Sequence, residues 1–152
     1  MKHLNLPEYS FRITGPEGKE MILDTIRKKY VRLTPEEWVR QNFVRYLVSE
    51  GNYPPGLIGI EVMFPYNKMK KRVDILVHDR SGKPVMIVEC KADYVKLDDK
   101  TSDQIVAYNM AFRVTYLVIT NGLEHFACRI TDHDKGEFEY LMAIPLFEDL
   151  LK

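Results

Sequence analysis

Three charged residues, Asp74, Glu89 and Lys91, lie within two apolar runs that are otherwise typical of buried β-strands. The runs flank Ser81 and Gly82, and a turn between two strand-like segments predicts a β-hairpin. An unpaired charge is costly to bury, so three charges at buried positions indicate a use for them. Two carboxylates beside an ammonium group could hold a metal ion and act on a water molecule bound to it.

A turn centred between residues 81 and 82 sets the register of this hairpin, whether its loop has two residues or four. The register places Asp74 opposite Glu89, and cross-strand partners share a face with their Cβ atoms about 5 Å apart. Because side chains alternate along a strand, Lys91 lies on the same face as Glu89. The hairpin alone therefore predicts that the three charges form one cluster.

Two carboxylates this close repel each other at neutral pH. A proton on one of them, a salt bridge to Lys91 or a divalent cation would relieve the repulsion. Mg²⁺ takes hard oxygen ligands from one or two carboxylates and completes its shell with water and phosphate. A lysine beside the ion could orient or help deprotonate a water molecule. From geometry alone, a metal centre and a plain hairpin salt bridge are equally good interpretations.

The strongest helical pattern in the chain covers residues 34–50. Thr34 suits the N-cap, Pro35 suits the first helical position, and Glu37 completes a capping box. One apolar stripe follows the helical period and predicts the buried face; it comprises Val39, Phe43, Tyr46 and Leu47.

The remaining elements follow from turn signals and periodicity. Their order predicts an α/β fold in which a mixed β-sheet is flanked by helices, αβββαβ, with extra β-hairpins at both ends. Residues 114–120 form a continuous β-branched run, which is typical of a strand buried on both faces. The other expected elements are a hairpin at 10–24, a strand at 57–64, a polar basic loop at 65–72, a helix at 96–113, a hairpin at 124–143 and a closing helical turn at 145–152.

Composition restricts the class of protein. The chain has 152 residues, of which 45% are apolar and 29% charged, so one soluble globular domain is expected. Its formal net charge is zero, and an anionic partner must therefore meet a local basic patch. Cys90 and Cys128 have no CxxC partner, which favours buried thiols in a reducing cytoplasm. No signal sequence or long apolar run is present, so no membrane partner is expected.

Longer segments of the chain carry a family resemblance. Asp74, fourteen residues and then Glu-Cys-Lys form a pattern that resembles the signature of the PD-(D/E)xK nuclease superfamily. Residues 35–47, 70–92 and 103–125 resemble the N-terminal nuclease domain of type I restriction enzyme R subunits. The resemblance implies one restriction-endonuclease-like domain over residues 1–152, with its core at about 30–144.

The resemblance also implies roles for the charged cluster. Asp74 and Glu89 are the expected ligands of Mg²⁺ or Mn²⁺, and Lys91 is the expected catalytic lysine. The carbonyl oxygen of Cys90 is expected to be a further metal ligand.

Further site residues are expected on both helices. Many relatives supply a glutamate from the first helix, and helical geometry favours Glu36 over Glu37, because Glu36 lies nearer the stripe that faces the sheet. Gln104 and Tyr108 fit a Q-xxx-Y motif, and their spacing puts both on one helix face. The expected phosphate contacts are Lys68, Lys70, Lys71 and Arg72 in the basic loop, with Arg27, Lys28 and Lys29 as additional candidates.

These expectations describe a metal-dependent deoxyribonuclease that hydrolyses phosphodiester bonds in DNA. Its partners would be DNA and other restriction-modification or repair subunits. Two departures from the pattern stand out: Val73 replaces the proline that names the superfamily, and no GxxxxGK[ST] loop of an ATP-driven motor is present. The alternative is a non-catalytic nucleic-acid-binding or assembly module that retains the nuclease fold.

Overall fold

Two β-sheets and two α-helices make up the regular structure of the computed structural model, which describes residues 2–66 and 69–152. The side chains of residues 64–66, 69, 70 and 108 lie outside this description. A small antiparallel sheet contains β1 (Ile13–Thr14), β2 (Met21–Asp24) and β3 (Lys29–Arg32). The central sheet has the order β4 (Ile58–Tyr66), β5 (Met69–His78), β6 (Pro84–Cys90), β7 (Tyr116–Thr120), β8 (His125–Asp132) and β9 (Glu137–Tyr140).

The central sheet is mixed, as predicted. All neighbouring strands are antiparallel except β6 and β7, which run parallel. A parallel pair needs a crossover connection, and α2 (Asp99–Asn109) supplies it. The predicted order of helix, three strands, helix and strand is therefore confirmed, with α1 (Pro35–Ser49) first.

Helix α1 covers one face of the central sheet. Thr34 Oγ1 accepts a hydrogen bond from the Glu37 backbone N–H at 3.0 Å, so the predicted N-cap is present. The Glu37 side chain does not complete the predicted capping box, because its carboxylate accepts hydrogen bonds from Arg27, Arg40 and Gln41. Three residues of the predicted apolar stripe, Val39, Phe43 and Leu47, are buried in one core with the sheet residues Ile75, Val77, Val88 and Val118, and the fourth, Tyr46, is partly buried against it.

Helix α2 covers the other face. The Asp98 side chain caps it by accepting a hydrogen bond from the Thr101 N–H at 2.8 Å. Val106 and the 3-10 turn Met110–Phe112 then pack against the opposite side of the sheet. Strand β7 lies between the two cores, and all five of its residues are buried, as the β-branched run predicts.

The predicted basic loop at residues 65–72 is wrong. Strand β4 continues to Tyr66 and β5 begins at Met69, so the described part of this segment is an extended hairpin. Its pairs include Met63 with Arg72 and Phe64 with Lys71. Pro65 is tolerated because β4 is an edge strand, where a missing N–H donor need not interrupt the sheet. Lys68 lies outside the described residues, and Lys70 is described by its backbone alone.

The elements near both ends of the chain are those that the sequence predicts. Strands β1 and β2 pair in the predicted N-terminal hairpin, and β3 adds a third strand where the sequence indicates no clear element. The C-terminal hairpin of β8 and β9 is also present, followed by a 3-10 turn at Phe147–Leu151. Cys90 and Cys128 are buried free thiols. None of the described helices is long and apolar enough to cross a membrane.

We expect Leu117→Ala to lower the free energy of unfolding by about 3 kcal/mol, because Leu117 is fully buried in the core beneath α2 and truncation leaves a cavity. Urea denaturation measures the loss. Leu151→Ala is the control, since Leu151 is 43% exposed, and its cost should stay below about 1 kcal/mol. Equal losses in the two variants would contradict this placement of β7.

Candidate active site

The hairpin of β5 and β6 has the predicted register. Its pairs are Ile75 with Val88, Leu76 with Ile87 and Val77 with Met86, so Asp74 and Glu89 are next in line opposite each other. The turn differs from both expected loops: it runs from Asp79 to Lys83, and a bulge at His78 absorbs the additional residue. The Asp79 carboxylate stabilises the turn by accepting hydrogen bonds from Ser81 and Lys83.

Both oxygens of Asp74 have protein donors. Oδ2 accepts a hydrogen bond from the Cys90 backbone N–H at 2.8 Å, and Oδ1 accepts one from Arg40 at 3.0 Å. Burial raises the pKa of Asp74 to about 6, and repulsion from Glu89 and Glu36 adds to the rise, although the Cys90 and Arg40 contacts oppose it. The surroundings of Asp74 therefore disfavour its charged form more than water does.

Glu89 lies on β6 and is 8% exposed. The ammonium group of Lys71, from β5, forms an ion pair with Glu89 Oε1 and donates a hydrogen bond to Asn109 Oδ1 on α2 at 3.3 Å. It also lies 5.6 Å from the centre of the Phe112 ring. Lys71 is therefore directed towards Glu89 and away from the solvated position expected of a phosphate contact.

Lys91 lines an open pocket of about 290 Å³ beside Glu89. Its ammonium group has no hydrogen bond or ion pair with any residue that the structure describes. Gln104, the first residue of the Q-xxx-Y motif, lines the same pocket from α2. Tyr108 follows on the same helix, but its side chain is outside the description. The pocket is thus bounded by Lys71, Glu89, Lys91, Gln104, Ile105 and Asn109.

Sequence reasoning missed a buried arginine at the centre of the site. Arg40 on α1 is 4% exposed, and its two terminal nitrogens contact four carboxylates. Burial alone would lower the pKa of Arg40, but the attraction of Glu37 and Asp74 raises it above its ordinary value. A signal was available, because Arg40 follows Glu36 and Glu37 at the i+4 and i+3 spacing of helical ion pairs.

The two glutamates of α1 lie on different sides of Arg40. Glu36 is 46% exposed and accepts a hydrogen bond from Arg40 at 3.1 Å, close enough to Asp74 to raise the pKa of that carboxyl. Glu37 is buried and bonds to Arg27 as well as Arg40. The geometry thus brings Glu36, the predicted site residue, to the exposed edge of the cluster, and Glu37 to its interior.

Arg27 is not positioned to contact phosphate. It is bound to Asp24 at 2.5 Å, to Glu37 at 2.9 Å and to Glu61 at 3.4 Å, and its side chain is 14% exposed. Arg72 remains accessible, since 62% of its side chain is exposed and its one described ion pair, with Glu61, is 3.5 Å long. Lys28 and Lys29 are exposed at the edge of the small sheet.

Asp74 and Glu89 fit a divalent cation by the chemistry of their oxygens. The described residues contain no group of three or more histidine, cysteine, aspartate or glutamate side chains that could hold a metal. Two carboxylates are nevertheless enough for Mg²⁺, which retains several water ligands and often binds substrate phosphate. Burial, together with the nearby carboxylates of Glu89 and Glu36, raises the pKa of Asp74, and a bound cation would favour the charged form of this group.

Comparisons with known proteins agree with this architecture. The sequence profile of the family described as "Type I restriction enzyme R protein N terminus" matches residues 35–145. A solved fragment assigned to the HsdR subunit of a type I restriction enzyme from Vibrio vulnificus YJ016 shares the fold, with a TM-score of 0.52 and 19% identity. The match covers 78% of this chain and 25% of that chain, so this chain spans about a quarter of that structure. Among curated proteins nothing matches.

We expect Asp74→Asn to flatten the pH dependence of stability between about pH 4 and pH 6. The folded state holds the Asp74 proton more tightly than the unfolded chain, whose aspartate pKa is about 3.9. Stability from this residue is therefore highest at low pH and falls by about 2 kcal/mol as the pH rises through 6. Urea denaturation from pH 4 to pH 8 in EDTA measures this change in the free energy of unfolding.

Asp134→Asn is the control for this experiment, because Asp134 is an exposed aspartate whose pKa is lowered by Arg113. The Asp134 variant should retain the decrease seen in the wild type. An unchanged decrease in Asp74→Asn would show that Asp74 is not the group responsible.

Proposed function

Because the chain belongs to the family of type I restriction enzyme R protein N termini, we propose that it is a metal-dependent deoxyribonuclease domain that hydrolyses phosphodiester bonds in DNA. The observation that carries the proposal is the register that sets Asp74 opposite Glu89, with Lys91 lining the pocket that Glu89 borders. Two carboxylates and a lysine in this order along a hairpin match the PD-(D/E)xK pattern. DNA and other restriction-modification subunits are the partners that the family suggests.

The proposed cofactor is Mg²⁺ or Mn²⁺. Asp74 and Glu89 would hold the ion, and the carbonyl oxygen of Cys90 is a further candidate because it follows Glu89 on the same strand. When bound, such an ion polarises the scissile phosphate and activates a water molecule. The protein holds Asp74 in place with the Cys90 backbone N–H, so the carboxylate does not need to reorganise.

Lys91 is the proposed catalytic lysine. Its ammonium group can donate a hydrogen bond to the attacking water or to a non-bridging phosphate oxygen, because no described residue occupies it. Glu36 lies at the exposed edge of the cluster, where it can accept a proton from water or orient it. Oriented donors and acceptors at the scissile phosphate stabilise charge as it develops there.

The proposed DNA path passes the open side of this pocket. Gln104 lies on its wall, and Arg72 extends from the neighbouring hairpin into solvent. Tyr108, Lys68 and Lys70 remain proposed contacts. Basic groups at these positions would bind the phosphate backbone and make affinity depend on salt concentration.

A second candidate function is that of an assembly module whose site becomes active only with its partner subunits. The observation that favours it is the ion pair of Lys71 with Glu89, which neutralises a proposed metal ligand from within the chain. Contact with DNA or another subunit could draw Lys71 away from Glu89. The same fold would then serve as a nuclease in the complex and as a binding module alone.

We expect wild-type protein to cleave plasmid DNA with Mg²⁺ or Mn²⁺ and to lose cleavage in EDTA. Glu89→Gln and Lys91→Ala should each reduce the cleavage rate by about 100-fold or more, since each removes a group at the reacting phosphate. Lys83→Ala is the matched control, because Lys83 is exposed at the opposite end of the same hairpin. Gel assays of supercoiled and linear DNA measure the rates.

The outcomes separate the two candidate functions. Cleavage that survives in both site variants would contradict the assignment of the site. Metal binding without cleavage, with binding lost in Glu89→Gln, would favour the assembly module. The wild type should then gain activity when the partner subunits are added.

We expect Lys71→Met to raise the affinity for Mn²⁺ on the order of tenfold, because the variant removes a cation that competes for Glu89. Isothermal titration calorimetry measures the affinity. Arg72→Met is the matched control: it removes an equal charge from the adjacent residue, whose described ion pair is with Glu61. A lower affinity in Lys71→Met would mean instead that Lys71 holds Glu89 in its binding orientation.

A further inference from the structure

The guanidinium group of Arg40 joins three elements at Asp74. One terminal nitrogen donates to Glu37 at 2.8 Å and to Glu61 at 3.1 Å. The other donates to Glu36 at 3.1 Å and to Asp74 at 3.0 Å. The planar fork of an arginine fixes the angle between such contacts, which a lysine cannot do. The position of Asp74 on β5 is therefore tied to α1 and to β4.

Stability alone gives a poor reason for this arrangement. A buried ionic cluster is often no more stable than well-packed apolar side chains of the same volume. Arg40 Nε is buried without a hydrogen-bond partner among the described residues, which carries a further cost. Because burying Arg40 in this way costs free energy, its contact with Asp74 indicates a role in the geometry of the site.

The backbone of Glu61 supports the same interpretation. Glu61 has a φ of 51°, a left-handed conformation that non-glycine residues rarely adopt within a strand. The flanking pairs, Ile60 with Ile75 and Val62 with Val73, place Glu61 opposite Asp74. Strain of this kind is concentrated at functional sites. It turns the Glu61 carboxylate towards Arg40, so the anchor of the arginine lies directly beside the residue that the arginine holds.

We propose that Arg40 is a positioning residue that orients Asp74 for a divalent cation. The proposal rests on the metal-dependent function proposed above. Arg40 holds Oδ1 and the Cys90 N–H holds Oδ2, so the plane of the carboxylate is fixed. Each carboxylate oxygen has a second lone pair, which remains available to a metal ion. Glu37 and Glu61 hold Arg40 in turn.

The chain contains a matched control for this role. Arg27 is a second arginine of the same cluster, although it is less deeply buried than Arg40, and it contacts Glu37 and Glu61 as Arg40 does. Its remaining described partner is Asp24 and not Asp74. Arg40→Lys and Arg27→Lys both keep the positive charge and remove the planar fork. Only Arg40→Lys alters a contact with Asp74, the proposed metal ligand.

The test compares Arg40→Lys with Arg27→Lys in protein stripped of metal. Binding of Mn²⁺ is measured by the electron paramagnetic resonance signal of the free ion, and circular dichroism monitors folding. We expect Arg40→Lys to weaken Mn²⁺ binding by about 10- to 100-fold, the usual effect of losing a group that orients a metal ligand. Arg27→Lys should leave Mn²⁺ affinity unchanged, even if its melting temperature falls as much.

Three results would overturn the proposal. They are wild-type affinity in Arg40→Lys, an equal loss of affinity in Arg27→Lys, and wild-type protein that binds no Mn²⁺. The last would overturn the proposed metal-dependent function as well, and it differs from the others because no variant would then bind the ion.

A second variant covers the case in which Arg40→Lys does not fold. Glu61→Gln keeps the size of the side chain but weakens the anchor of Arg40, without touching Asp74. Like Arg40→Lys, this variant should bind Mn²⁺ more weakly than the wild type. Unchanged affinity in folded Glu61→Gln would then overturn the proposal.

Discussion

A buried charge needs a partner, and in this protein the contact of Arg40 with Asp74 is the pairing on which the site depends. It fastens α1 to the middle of β5, because the arginine is also held by Glu37 on the helix and by Glu61 on β4. Without it, the carboxylates around Asp74 would face one another with fewer counterions in a poorly solvated space. Burial raises the pKa of Asp74 to about 6, and the Cys90 N–H and the Arg40 contact both oppose this rise.

The two proposed metal ligands connect the two halves of the fold. Asp74 is held from the side of α1, whereas Glu89 faces the pocket that α2 borders. Each carboxylate has its own cation, Arg40 for Asp74 and Lys71 for Glu89, but the two cations differ in burial: the Arg40 side chain is 4% exposed and the Lys71 side chain 19%. Arg40 is suited to a permanent structural contact, and the more accessible Lys71 to one that can be exchanged.

Much of the fold follows from local patterns. The turn between β5 and β6 is longer than expected, yet the predicted register holds, because the bulge at His78 absorbs the extra residue and keeps the apolar faces aligned. The stripe on α1 and the β-branched run of β7 are confirmed for the same reason, since burial is decided by periodicity. The predicted loop at residues 65–72 is wrong because this polar, basic segment carries no alternating apolar pattern that would indicate a strand.

The sequence by itself determined the register of the hairpin, which sets Asp74 opposite Glu89. That information is local, because a turn and a period of two decide it. Only the tertiary structure decided which cation meets which carboxylate. Arg27, Arg40 and Lys71 all find acidic partners on other elements, and a charged side chain carries no local signal of the distant group that it will pair with.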